Sequence, residues 1–121
     1  STTFRLHSTS VQSGDHKWIA ASGLQGVTRV NIAVKENGNY RVKLHFMEPE
    51  NLKAGQRVFD VALQGKTMLR DLDITKEAGG VRRAIIKEFT VVGQDKSLRI
   101  DLTPQGKKPP VLSGIEWHHK P

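Results

Sequence analysis

The 121-residue chain contains no cysteine. Disulfides, thiolate nucleophiles and Cys-ligated zinc are therefore excluded. The compartment is left open, because many exported bacterial domains also lack cysteine. No run of 18 apolar residues occurs, so no transmembrane helix is expected. Ser1-Thr2-Thr3-Phe4 carries no signal-peptide pattern, and a mature or excised domain would lack one anyway. Aromatic residues make up only 6% of the chain. No glycine/aromatic RNA-binding pattern is present, which argues against nucleic acid as a partner. No window of helical length keeps an apolar stripe at 3.6-residue spacing. None of the five histidines lies in a metal-protease spacing such as H-E-x-x-H. His118 and His119 are adjacent, so on a strand they point to opposite faces. No Ser-His-Asp motif, phosphate loop or dinucleotide fingerprint occurs. The expectation is a chain with no catalytic group, no bound metal and no cofactor.

What remains is ordinary for a globular domain, with 36% hydrophobic and 26% charged residues. Residues 1–121 are long enough to bury one core, so a single domain is expected. The net charge is +7 and spread along the chain, which serves solubility and favours anionic partners.

The chain is punctuated by turns between alternating segments. Phe4 and Leu6 suggest a short first strand. Asp15–Gly26 reads as a connection. Val27–Val34 alternates, with Val30, Ile32 and Val34 on one face. Glu36-Asn37-Gly38-Asn39 is a hairpin signal. In Tyr40–Met47, Val42, Leu44 and Phe46 point inward, while Arg41, Lys43 and His45 point outward. Pro49 ends that strand. Phe59, Val61 and Leu63 form one face of a central hairpin turned at Gln64-Gly65-Lys66, with Met68–Ile74 returning. Lys76–Gly80 reads as a loop. Val81–Val92 reads as one strand with an irregularity. Gly93–Lys96 is a turn, and Leu98, Ile100 and Leu102 alternate inward after it. Val111–Trp117 is the last strand, followed by a tail from His118 to Pro121. The pattern predicts an all-β fold, an antiparallel sandwich of about eight strands.

Antiparallel strands alternate direction, so their connections alternate between two ends. The short turns at Gly38, Gly65 and Gly93 fall at one end. The longer connections at Asp15–Gly26, Glu48–Gly55, Asp73–Gly80 and Pro104–Pro110 fall at the other. Function tends to live in long loops on a rigid scaffold. The candidate binding residues are therefore Trp18, Gln25, Glu48, Glu50, Asn51, Lys53, Asp73, Lys76, Lys107 and Lys108. Glu77 and Gln105 sit in the same loops. Planar polar groups hydrogen-bond vicinal hydroxyls, and an aromatic face stacks on a sugar's C–H face, so this set suits a polyhydroxylated ligand. Paired carboxylates at this end also raise a glycosidase reading. A small sandwich without a deep cleft argues for binding over cleavage.

Several blocks carry a resemblance: Gly38-x-Tyr40-x-Val42-x-Leu44-His45-Phe46-x-Glu48, then Gly55–Val61, then Asp71-x-Asp73-Ile74 with Ala78-Gly79, then Leu112–Glu116. In this order and register the sequence resembles the malectin family over Val27–Trp117. The resemblance implies a jelly-roll-like sandwich with a non-catalytic, glycan-binding role, of the kind found in carbohydrate-binding modules of bacterial glycoside hydrolases and in extracellular domains of plant receptor kinases. It also implies a binding loop with two aromatics after the Phe-x-Glu motif, and an acidic residue before the last strand. Here the first is Pro49-Glu50-Asn51-Leu52-Lys53, and the second is Lys107-Lys108-Pro109-Pro110. The aromatics are missing and the charge is reversed. Acidic or mixed glycans are therefore expected in place of a neutral diglucose. The expected setting is a bacterial module, secreted or extracellular (periplasmic included) and appended to a larger exported protein such as a glycoside hydrolase, with no membrane contact. The alternative is a structural or protein-interaction domain that has lost sugar binding. Within the signature itself, Phe46, Phe59 and Val61 read as core. Asp60, Asp71 and Asp73 read as turn-bonding groups, Tyr40 as locally packed and Trp117 as packing.

Overall fold

The computed structural model describes residues 28–120, together with the backbone of the strands Thr3–His7 and Lys17–Gln25. Nine strands are present among the described residues. They are β1 (Thr3–His7), β2 (Lys17–Gln25), β3 (Arg29–Ala33), β4 (Gly38–Met47), β5 (Val58–Leu63), β6 (Lys66–Asp73), β7 (Ala84–Gly93), β8 (Ser97–Pro104) and β9 (Val111–Lys120). A short helix, α1 (Ile74–Ala78), follows β6.

The strands form two sheets, ordered β1-β3-β8-β5-β6 and β2-β9-β4-β7. Strand β2 pairs with β9, β3 with β8, β4 with β7 and β5 with β6, all antiparallel. This nested pairing is one long hairpin, with its tip at Gln64-Gly65, rolled into a sandwich. It is the jelly-roll arrangement of eight strands. Strand β1 is added at the edge beside β3, and that pair is parallel.

The alternation expected from the sequence is what fills the interior. Val30, Ile32, Val42, Leu44, Phe46, Phe59, Val61, Leu98, Ile100 and Leu102 are all buried, with Ile115 and Trp117 from β9 beside them. Phe46 and Phe59 meet across the two sheets with ring centroids 5.8 Å apart. Burying each such side chain is worth about 1.5–3 kcal/mol. Arg41, Lys43 and His45 lie on the opposite, outward face of β4, as their alternation requires.

Several expectations are corrected. Most of Asp15–Gly26 is strand β2, not a connection. Ala20-Ala21-Ser22-Gly23 has weak strand propensity, and the pairing with β9 shifts register between Ala20 and Leu24. Glu36–Asn39 does not close a hairpin, because β3 and β4 lie in different sheets. The segment Ile74–Ala78 is helical, and Ile74 is a buried helix residue instead of the end of a strand. Strand β7 runs unbroken against β4 from Ala84 to Gly93, and the irregularity lies before it, at Arg82 with φ 56°. The expected tail His118–Lys120 is strand, because Asn39, Tyr40 and Arg41 of β4 supply its partners. Residues 8–16, the expected loop at 8–14 among them, and Pro121 lie outside the described residues.

Candidate functional site

The backbone sorts the connections as the strand directions require. At one end, Val34 N donates to Lys96 O at 3.0 Å, Lys96 N to Asn37 Oδ1 at 2.6 Å, and Gln64 Nε2 to Val92 O at 2.8 Å. The three short turns are thus tied together. At the other end the longer connections converge on Arg57, the residue just before β5.

Arg57 is buried. Its Nε donates to Glu48 Oε1 at 2.7 Å and its Nη2 to Glu48 Oε2 at 3.2 Å. Nη2 also donates to Glu50 Oε2 at 2.6 Å, and Nη1 to the Pro109 carbonyl at 2.5 Å. One guanidinium therefore joins the 48–57 loop to the 105–110 loop. Glu48 Oε2 accepts in addition from Glu50 N at 3.1 Å, and Lys108 Nζ lies 3.8 Å from Glu50 Oε1. A planar, always-charged fork suits such simultaneous recognition of two carboxylates and a carbonyl.

The third connection joins the same frame. Asp73 caps α1, with Oδ1 accepting from Lys76 N at 3.1 Å. Its Oδ2 accepts from Gly55 N at 2.6 Å, so one side chain satisfies both the helix start and the neighbouring loop. Gly79 ends α1 in the left-handed region at φ 76°. Thr75 Oγ1 donates to Leu52 O at 3.2 Å, and Arg82 Nη1 to Asn51 Oδ1 at 2.9 Å.

Each sequence candidate now has a place. Glu48, Glu50, Asn51, Lys53, Asp73, Lys76, Lys107 and Lys108 all lie in the connections of one end. Glu48 is buried on Arg57, and Glu50, Asn51 and Asp73 make the bonds just described. Lys53, Lys76 and Lys107 are exposed and have no acidic partner among the described residues. Glu77 leaves the group, since its carboxylate meets Lys87 Nζ at 2.7 Å. Gln105 holds its loop through its backbone, donating to Val58 O at 2.9 Å. Gln25 lies opposite Val111 where β9 leaves the 105–110 loop, while Trp18 sits down the strand opposite Glu116 and not in a loop. The side chains of Trp18 and Gln25 lie outside the described residues.

Arg57 was not among the sequence candidates. The signal for it was the pair of acidic residues, Glu48 and Glu50, in a loop whose nearest arginine is Arg57. Elsewhere, an open depression of about 350 Å³ lies at the short-turn end, lined by Asn31, Gln64, Gln94, Asp95, Ser97 and Arg99. Beside it, Asp101 accepts from Arg29 Nε at 2.6 Å and from Arg99 Nε at 2.9 Å. No three His, Asp or Glu side chains among the described residues are grouped to hold a metal ion. No helix among them is long and apolar enough to cross a membrane.

Residues 28–115 match the Malectin domain family. A probable LRR receptor-like serine/threonine-protein kinase of Arabidopsis thaliana, At1g29720, is 46% identical over 78 residues, which is 60% of this chain and 8% of that protein. The ANX2 ectodomain from Arabidopsis thaliana shares the fold at a TM-score of 0.63 and 20% identity, covering 84% of this chain and 31% of that one. A chain of the complex of the plant peptide RALF23 with FER and LLG2 does so at 0.67 and 21%, covering 84% of this chain and 30% of that one. The chain thus spans a small part of the proteins it resembles. The sequence relatives are plant receptor-like proteins of Arabidopsis thaliana, where bacterial modules were expected.

Proposed function

Because the chain belongs to the Malectin domain family, we propose that it is a non-catalytic extracellular recognition module, residues 1–121 acting as one domain of a longer protein, that binds an acidic glycan at its long-loop end. The observation that carries this reading is the division of charge at that end. Glu48, Glu50 and Asp73 are turned into the frame by Arg57, Gly55 and Lys76 N. Lys53, Lys76 and Lys107 are left facing solvent. A surface whose acids are internally satisfied and whose cations are not presents net positive charge to a ligand. The lysines stand on backbone tied by hydrogen bonds at Lys53 N, Gly55 N, Lys76 N and Pro109 O, which lowers the ordering cost of binding. The Glu48 and Glu50 carboxylates are bound by one arginine and are not disposed to cleave a glycosidic bond. Extracellular placement is supported by relatives described as ectodomains.

The test is calorimetric titration with an oligouronate and with maltose, at low and moderate salt. Oligouronate binding that weakens with salt is expected, and the double variant Lys53→Glu/Lys107→Glu should abolish it without lowering Tm. Tight, salt-independent maltose binding would sink the reading.

A second reading is docking of a protein or peptide on the same face. It is favoured by one relative, whose structure is described as a complex of the peptide RALF23 with FER and LLG2. Glycan titrations that stay silent, with a peptide captured and then lost in the same lysine variant, would select it.

A further inference from the structure

The edges of the two sheets are protected to different degrees. Strand β6 closes one edge of the first sheet. Its pairing with β5 shifts register twice, Asp71 has φ 54°, and Lys66, Arg70, Asp71 and Asp73 charge it. Bulges and charges of this kind keep an edge from pairing with another chain. Strand β7 closes an edge of the second sheet with no such register shift, and its two charged residues are each held in an ion pair, Lys87 with Glu77 and Glu88 with Arg41. Its register against β4 is continuous from Gly38↔Gly93 to Met47↔Ala84, so it is long and regular. Its one described strand partner is β4. It also carries both large hydrophobic side chains that are exposed among the described residues, Ile86 at 56% and Val92 at 51%.

We infer that β7 is the contact through which two copies of this chain pair, antiparallel about a two-fold axis, joining their four-stranded sheets into one. The register follows from the sequence of the edge. Outward-pointing backbone groups belong to alternate residues, so an antiparallel partner must pair even positions with even and odd with odd. Four such registers keep substantial overlap; the one centred on Lys87 sets that ammonium against the same ammonium of the other copy and is opposed, leaving three. One sets Glu88 against Glu88 of the other copy, a like-charge pair that opposes association. A second sets Thr90 against itself and leaves Ile86 beyond the partner strand. The third centres on Phe89 and sets Ile86 opposite Val92 and Val92 opposite Ile86. It covers both exposed hydrophobic side chains at once, and places Glu88 opposite uncharged Thr90. Just beyond the strand ends it sets Arg83 toward Asp95 of the other copy, and both residues are exposed and opposite in charge. A patch complementary to itself under a two-fold axis is what an isologous dimer requires. The inference is independent of the glycan reading, because the lysines invoked there lie in the loops and in α1, not on this strand.

Sedimentation equilibrium of the 121-residue chain over a wide concentration range tests it, with the variants Ile86→Glu, Val92→Lys and the two combined. The parent chain is expected to dimerise reversibly. Each single substitution, present twice across the axis, should weaken the dimer by roughly tenfold or more. In this register alone, the combined variant sets the introduced carboxylate of each copy opposite the introduced ammonium of the other, and it should restore association. All three should retain the parent's circular dichroism spectrum. A parent chain that stays monomeric throughout, a dimer indifferent to either single change, or a combined variant as weak as the singles would each overturn the inference. Loss of oligouronate binding in the lysine variant leaves the dimer unchanged, so the two proposals fail separately.

Discussion

The Arg57 guanidinium and the Glu48 carboxylate are each 1% exposed and share two hydrogen bonds, at 2.7 and 3.2 Å. Removing either partner strands a charge in the interior. Arg57→Ala is expected to cost about 3–5 kcal/mol. The double variant Glu48→Gln/Arg57→Met leaves no buried charge and should recover at least half of that. Urea unfolding of the three proteins checks both statements. A single variant as stable as the parent would show that the pair does not organise this end.

Asp73 serves two backbone donors, Lys76 N and Gly55 N. Asp73→Ala should therefore destabilise by about 1–2 kcal/mol, the upper range for a lost cap. Asp73→Asn keeps an acceptor oxygen and should cost less than half as much. Thermal melts of the two variants distinguish a capping role from a purely electrostatic one.

Tyr40 predicts an alkaline limit. Burial raises its pKa above the ordinary 10.0, and the nearby Glu36 carboxylate acts in the same direction. The folded state therefore favours the protonated phenol. Its contribution is complete below the unfolded pKa and is lost as pH rises through the folded one. Tyr40→Phe removes the 2.7 Å bond to Glu36 O, and should cost about 1 kcal/mol at neutral pH. That difference should shrink as pH rises above the ordinary 10.0, because ionisation of the phenol is easier in the unfolded parent than in the folded one. Parallel denaturant curves at neutral and at alkaline pH measure it.

Gly38 has φ +121°, and a Cβ built there would lie 3.2 Å from His119 Nε2. Gly38→Ala combines backbone strain with crowding and should cost about 1–3 kcal/mol. Gly106 meets nothing within 4 Å, and its φ is outside the strained range. Gly106→Ala should stay within about 0.5 kcal/mol of the parent. Equal effects at the two sites would show that the turn at Gly38 is more plastic than its geometry implies.

Much of the fold was legible because strands β3, β4, β5 and β8 alternate cleanly between core and surface. Period-2 patterning reports one buried face, and these strands have one. Strand β2 was hidden because its small residues and register shift erase that period. The helix α1 was hidden for a different reason. Five residues are too few to show a 3.6-residue period, although Asp73 before it and Gly79 after it are a cap pair that the sequence does display. The loop end was legible from strand direction alone. What its carboxylates do was not, because Glu48 and Glu50 are answered by Arg57, and the closeness of the three depends on how the loop folds back. Trp117 was expected to pack, and it does, at 1% exposure.

The nested pairing has a kinetic consequence. Among the described strands, only β5 and β6 are both consecutive in sequence and paired in space. Every other ladder joins strands separated by everything inside it, so each must close a loop before it gains a contact. If the Gln64-Gly65 hairpin forms first, the β4–β7 ladder closes around a segment already shortened, and β3–β8 and β2–β9 follow outward in turn. Folding of this topology belongs in the millisecond-to-second range. On this order the N- and C-terminal strands are the last to be secured and the first to be released.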